Sequence, residues 1–126
     1  MVFQVFWVTK MIKNITSSFL VEISEYLKKQ KSEESCGLVI QNGGKYSFLA
    51  CENISIDKKN FFAVDPFLFA ANAVVAVVHS HWQGSSFPSI LDKKVSDDFD
   101  IPFLIYSIID NDFCLYQNKS VNKIKV

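Results

Sequence analysis

The sequence predicts an α/β protein of the α+β type, in which a mixed β-sheet has helices packed against it. Three observations carry that expectation. An amphipathic helical pattern lies near the start, short β-prone runs separated by turn signals follow it, and a β-branched run at residues 73–78 reads as a strand covered on both faces. The chain has 126 residues, about half of them apolar and twelve of them Phe. That is enough for one substantial core and too little for two, so residues 1–126 are expected to form a single domain.

Residues 2–8 are apolar and β-prone and could form an edge strand, although Met11 offers a second start and residues 1–10 could be an extension. From Ile15, the apolar positions Phe19, Leu20, Ile23, Tyr26 and Leu27 recur at three- and four-residue steps behind Thr16 or Ser17 as a cap. This spacing predicts a helix ending near Lys31. Residues 36–40 and 46–51 flank Asn42-Gly43-Gly44 and predict a hairpin, and a third strand is expected at residues 61–64. Pro66 then opens a short helix to about Asn72, and the strand at 73–78 runs straight into His79. Residues 84–88 read as a loop, and Ser89 caps a helix through about Asp97. Residues 103–109 and 113–117 read as a terminal hairpin around Asp110-Asn111.

Composition narrows the function classes. Lysine plus arginine equals aspartate plus glutamate at 13 each, so no net field favours nucleic acid or an anionic membrane as a partner. The longest apolar run, residues 67–78, contains Asn72 and is shorter than the roughly 18 residues a membrane span needs. The N-terminus has neither a basic start nor a small-residue cleavage site, so a soluble, cytoplasmic protein is expected. Cys36, Cys51 and Cys114 are odd in number and widely spaced, which fits reduced, buried thiols better than a disulfide framework.

The chain's two histidines stand at His79 and His81, at the end of the hydrophobic strand. Residues two apart on a strand share a face, so both imidazoles can converge on one ion. Alone, the pair fits two locally hydrogen-bonded rings equally well. Asp92 offers a third ligand from the helix that Ser89 opens, but Ser89-x-x-Asp92 is also the spacing of a capping box. Two histidines and a carboxylate would leave a fourth position for water, as catalytic zinc sites do. Glu34, just ahead of the first strand, is a candidate base, with Glu33 its neighbour and rival; alone, either reads as solvated surface.

Together these residues resemble the JAMM metallopeptidases, also called JAB or MPN-plus, and most closely the short domain found in phage tail assembly proteins of the lambda K type. Glu34-Ser35-Cys36-Gly37-Leu38 is followed by His79-Ser80-His81, seven residues to Pro88, then Ser89-Ile90-Leu91-Asp92. Further likeness lies in Glu52-Asn53-Ile54-Ser55 and Phe62-Ala63-Val64-Asp65-Pro66 and extends over residues 15–109. The resemblance implies a JAB/MPN-like domain, a curved mixed sheet flanked by helices in a layered architecture like that of the cytidine deaminases. It implies zinc held by His79, His81 and Asp92, Glu34 as general acid and base, and Ser89 beside the developing oxyanion. The Glu-x-Cys-Gly register selects Glu34 over Glu33. Trp82 departs from the proline that many relatives carry there, and either walls the substrate groove or packs the loop.

The expected function is hydrolysis of a peptide bond in a substrate with an extended segment, in phage tail assembly or cell-wall peptide processing. In that case the partners would be phage tail proteins, and the site of action the host cytoplasm or a virion tail. Cleavage of a ubiquitin-like or sulfur-carrier tail is an alternative, and a structural tail-tip or scaffold module with a vestigial site is another. A zinc nucleobase deaminase is excluded, because neither His-x-Glu nor Pro-Cys-x-x-Cys is present.

Overall fold

A computed structural model describes Ile12 and residues 14–126, so the strand expected at residues 2–8 lies outside the described residues. Helix α1 spans Ser17–Leu27, with Thr16 Oγ1 accepting the Phe19 N–H at 3.2 Å. It ends four residues short of the expected Lys31. Its buried face, Leu20, Ile23, Ser24 and Leu27, stops there, and Lys28-Lys29-Gln30-Lys31 offers no apolar side chain to hold another turn on the sheet. Strands β1 (Cys36–Asn42) and β2 (Lys45–Cys51) pair with Asn42 opposite Lys45, which leaves Gly43-Gly44 as a two-residue turn with Gly43 at φ 61°.

Residues 61–64 do not form the expected third strand. The Asn53 side chain donates to the Phe61 carbonyl at 3.0 Å and accepts the Ala63 N–H at 3.1 Å, while Ile54 N–H donates to the Ala63 carbonyl. These bonds take the groups a neighbouring strand would use. The segment instead covers the sheet, Phe62 and Val64 packing on its core. Helix α2 (Phe67–Ala71) and strand β3 (Val74–His81) follow, then helix α3 (Ile90–Phe99). The chain closes with β4 (Phe103–Ser107), β5 (Asp112–Gln117) and β6 (Ser120–Lys125). The last strand was not expected. Its pattern is mostly exposed and carries Lys123 and Lys125, as suits a sheet edge, and its turn places Asn118 and Lys119 at positive φ, a role for which lysine gives no signal.

Among the described residues six strands run in the order β2-β1-β3-β4-β5-β6, and every pairing is antiparallel except β3 with β4. This is the expected mixed sheet flanked by helices. Side-chain alternation divides the core between its two faces. Val39, Ala76, Val78, Leu104 and Tyr106 meet Leu20, Ile23 and Leu27 of α1. Leu38, Val77, Phe103 and Ile105 face the other way, toward Phe62, Leu68 and Val95. Parity then puts His79 and His81 on the side of Val77. Among the described residues no helix is long and apolar enough to cross a membrane.

Candidate metal centre

The parallel pairing of β3 and β4 requires a crossover, and α3 supplies it. Its N-terminus therefore returns over the C-terminal end of β3, where the histidines stand. Ser89 caps it: Ser89 Oγ accepts the Asp92 N–H at 3.0 Å, and Asp92 Oδ2 accepts the Ser89 N–H at 2.9 Å. The capping box and the ligand geometry are compatible because a carboxylate has two oxygens. Asp92 Oδ1 lies 3.1 Å from His79 Nε2, and Oδ2 also lies 3.2 Å from His81 Nε2.

Both histidines thus turn Nε2 toward Asp92, and each Nδ1 has an outer partner. His81 Nδ1 lies 2.7 Å from the Ser85 carbonyl, which can only accept, so that nitrogen donates to it and the ring's orientation is fixed from behind. His79 Nδ1 lies 3.1 Å from Glu34 Oε1. Phe62 stacks on the His79 ring at 4.3 Å between centroids and fixes its plane. Glu34 is held from both sides of its main chain, its N–H donating to the Lys58 carbonyl at 2.8 Å and its own carbonyl accepting from Asn53 Nδ2 at 2.9 Å. Next to it, Ser35 N–H donates to Ser80 Oγ at 2.9 Å, which ties this residue to β3 between the two histidines. Glu33 lies outside the cluster, its carboxylate accepting from Gln30.

Electrostatics match the geometry. Burial works against a charged His79, but Asp92 and Glu34 outweigh it and push its pKa up to about 9. Burial likewise works against ionised Asp92, yet the nearby His79 and His81 rings, the His79 charge and the Ser89 N–H hold its carboxyl well below the usual range. The residues fit a cation. His79, His81 and Asp92 each offer one ligand atom, all within 4.8 Å of one another, against about 3.4 Å between neighbours around a tetrahedral zinc. His79 Nε2 is fully buried and makes no hydrogen bond of proper geometry, although Asp92 Oδ1 stands 3.1 Å away. A buried nitrogen aimed at a carboxylate without bonding to it is what an ion between them would resolve.

The cysteines take no part. All three are free and buried, and burial, with Cys51 and Glu34 adding to it, pushes the Cys36 thiol up to about 12. Trp82 packs loop on loop, donating from Nε1 to the Lys59 carbonyl at 2.7 Å, and does not line the adjoining cleft. Residue-level reading missed what Phe62, Ser80 and the Ser85 carbonyl do. Asn53 drew notice only through resemblance. A main-chain acceptor such as Ser85 leaves no side-chain signal.

The fold and this cluster together define a JAB-type domain. The family of prokaryotic homologs of the JAB domain, Prok-JAB, matches residues 16–112, and the chain belongs to it. Tail tip assembly protein K of Escherichia phage N15 is 35% identical over 83 residues, which cover 63% of this chain and 34% of that relative. The chain therefore matches about a third of the length of that protein. Among solved structures, protein DSY2949 from Desulfitobacterium hafniense aligns with a TM-score of 0.62 at 20% identity, covering 87% of this chain and 88% of its own. AF2198, a JAB1/MPN domain protein from Archaeoglobus fulgidus, aligns with a TM-score of 0.55 at 20% identity, covering 86% and 93%. Likeness at that identity speaks for the fold.

Proposed function

We propose that the chain is a zinc-dependent peptidase domain acting in phage tail assembly, with His79, His81 and Asp92 as zinc ligands, Glu34 as general base and acid, and Ser89 as an oxyanion donor. One observation carries the reading: two imidazoles and a carboxylate converge beside Glu34 at the end of an open cleft. Three ligands with a fourth position left over is the pattern of catalytic zinc, whereas closed structural sites recruit four protein ligands rich in cysteine. Zinc there would act as a Lewis acid on the scissile carbonyl and acidify an attacking water.

The chain's own groups do the rest. Glu34 keeps one oxygen on His79 and has a second with which to take the proton of the water and return it to the leaving amine. Ser89 Oγ accepts the Asp92 N–H and still has its own hydroxyl proton, which it can donate to the oxygen on which charge grows. The chain's likeness to a tail tip assembly protein supports action on a tail polypeptide.

Purified protein equilibrated with zinc and desalted should retain about one ion per chain. Elemental analysis that finds none, or the same amount in His81→Ala, refutes the ligand set. Glu34→Gln should keep the metal and lose hydrolysis, because the base need not ligate it. Turnover by Glu34→Gln at the wild-type rate would place the base elsewhere.

A further inference from the structure

The cleft that ends at the candidate metal centre is an apolar trough. It encloses about 920 Å3, and its polar end holds Glu34, His81, Ser89 and Asp92. Beyond them the lining is aliphatic and aromatic apart from Asn60. The sheet contributes Val77 and Phe103, α2 contributes Phe69, and α3 contributes Val95 and Phe99. Among the described residues no lysine or arginine lines it, and no carboxylate besides Glu34 and Asp92. Phe69 is 40% exposed and Phe99 74% exposed. Large apolar side chains exposed together beside a cleft mark a binding surface, whereas scattered ones do not.

Resting on the peptidase reading above, we infer that the substrate is an extended peptide segment with a bulky apolar side chain, aromatic or branched aliphatic, next to the bond presented to the metal centre. The Glu34 and Asp92 side chains are only 12% and 9% exposed, so a folded surface cannot reach them and a single strand of main chain can. The rim also offers a main-chain edge. Phe61 and Ala63 both turn their main chain to Asn53, the two-residue alternation of extended chain. That leaves the main-chain groups of Phe62 and Val64 with no hydrogen-bond partner among the described residues. Charge gives no other basis for selection here. A glycine-rich tail would leave most of the trough to water, whereas a large apolar side chain displaces that water and covers the Phe69 and Phe99 rings.

The test uses zinc-loaded Glu34→Gln protein and dye-labelled octapeptides whose central residues are Phe and Leu, Gly and Ser, or Lys and Glu, with binding read by fluorescence anisotropy. The Phe and Leu peptides should bind at least about tenfold tighter than the others, the scale set by burying one large apolar side chain. Phe69→Ser and Phe99→Ser, both at exposed positions, should each erase much of that preference while zinc content stays constant. Equal binding of the Gly and Ser peptides, no binding by any peptide, or indifference to both variants overturns the inference. The same peptides incubated with zinc-loaded wild-type protein and read by mass spectrometry separate the two claims. Selective binding without cleavage keeps the substrate class and sinks the peptidase reading. Cleavage with no bias toward bulky apolar residues does the reverse.

Discussion

Raising the pH should tighten metal binding and loosen the metal-free fold, and both effects trace to His79. Its side chain is 1% exposed between Glu34 and Asp92, and its pKa stands at about 9: burial lowers it, and the two carboxylates more than reverse that. A metal requires the neutral ring, so at pH 7 binding must expel a proton. The apparent association constant should rise about tenfold per pH unit from pH 7 and level off near pH 9. The metal-free protein moves the other way. The folded chain holds a proton on His79 between the ordinary histidine value of 6.5 and about 9, where the unfolded chain has lost it. The stability that proton contributes is complete below the lower value and is lost as pH rises through the upper one. At about 1.4 kcal/mol per pH unit this is worth roughly 3 kcal/mol. Calorimetric zinc titrations at pH 7 in buffers of different ionisation enthalpy count the protons released, and urea melts of chelated protein at pH 6 and pH 9 measure the stability. Zinc binding without proton release at pH 7, or equal stability at the two pH values, would falsify this account of His79.

Three substitutions probe the frame around the site. Asn53→Ala removes four hydrogen bonds, to the Glu34 and Phe61 carbonyls and from the Ser55 and Ala63 amides. It should cost roughly 2–4 kcal/mol in urea melts and strip hydrogen-exchange protection from the Ala63 amide. Gly37→Ala places a Cβ 2.4 Å from Phe48 Cε1 and 2.7 Å from the Leu49 carbonyl oxygen. The ring can swing aside but the strand oxygen cannot, so thermal denaturation should show a loss of about 1–3 kcal/mol. Trp82→Phe deletes the bond to the Lys59 carbonyl, keeps most of the packing, and should cost about 1 kcal/mol in urea with zinc content unchanged.

Placement of the histidines was legible because it depends on local period. A β-branched run ending in His-x-His puts both rings on one face whatever the sheet order, and the structure places them on the side of Val77. Asp92 was legible twice over, as cap and as ligand candidate, and its geometry accommodates both. Glu34 was not legible from its surroundings. Glu33 and Glu34 look alike in sequence, and what separates them is the pairing of Cys36 with His79 together with the Ser35–Ser80 bond, contacts 43 and 45 residues apart in sequence. Residues 61–64 misled for a related reason. A covering segment and a strand use the same β-prone side chains, and the distant Asn53 amide decides that the Phe61 and Ala63 main-chain groups are bonded off the sheet.

One step of topology accounts for the whole cluster. An all-antiparallel sheet could have joined β3 to its neighbour by a hairpin, and nothing would then have returned over the histidines. The parallel β3–β4 pair forces a crossover, and the crossover brings a helix N-terminus with unmatched N–H groups to the C-terminal end of β3. Those N–H groups favour an anion, so a carboxylate three residues into the helix is stabilised there before any metal binds. Asp92 supplies it, and the same carboxylate closes on His79 and His81. β1, paired to the other side of β3, then sets Cys36 against His79 and leaves Glu34 at the mouth of that pairing. Two candidate ligands thus stand on one strand, while the third and the candidate base reach it from its opposite sides, which is why residues separated by 58 positions in sequence meet around a single point.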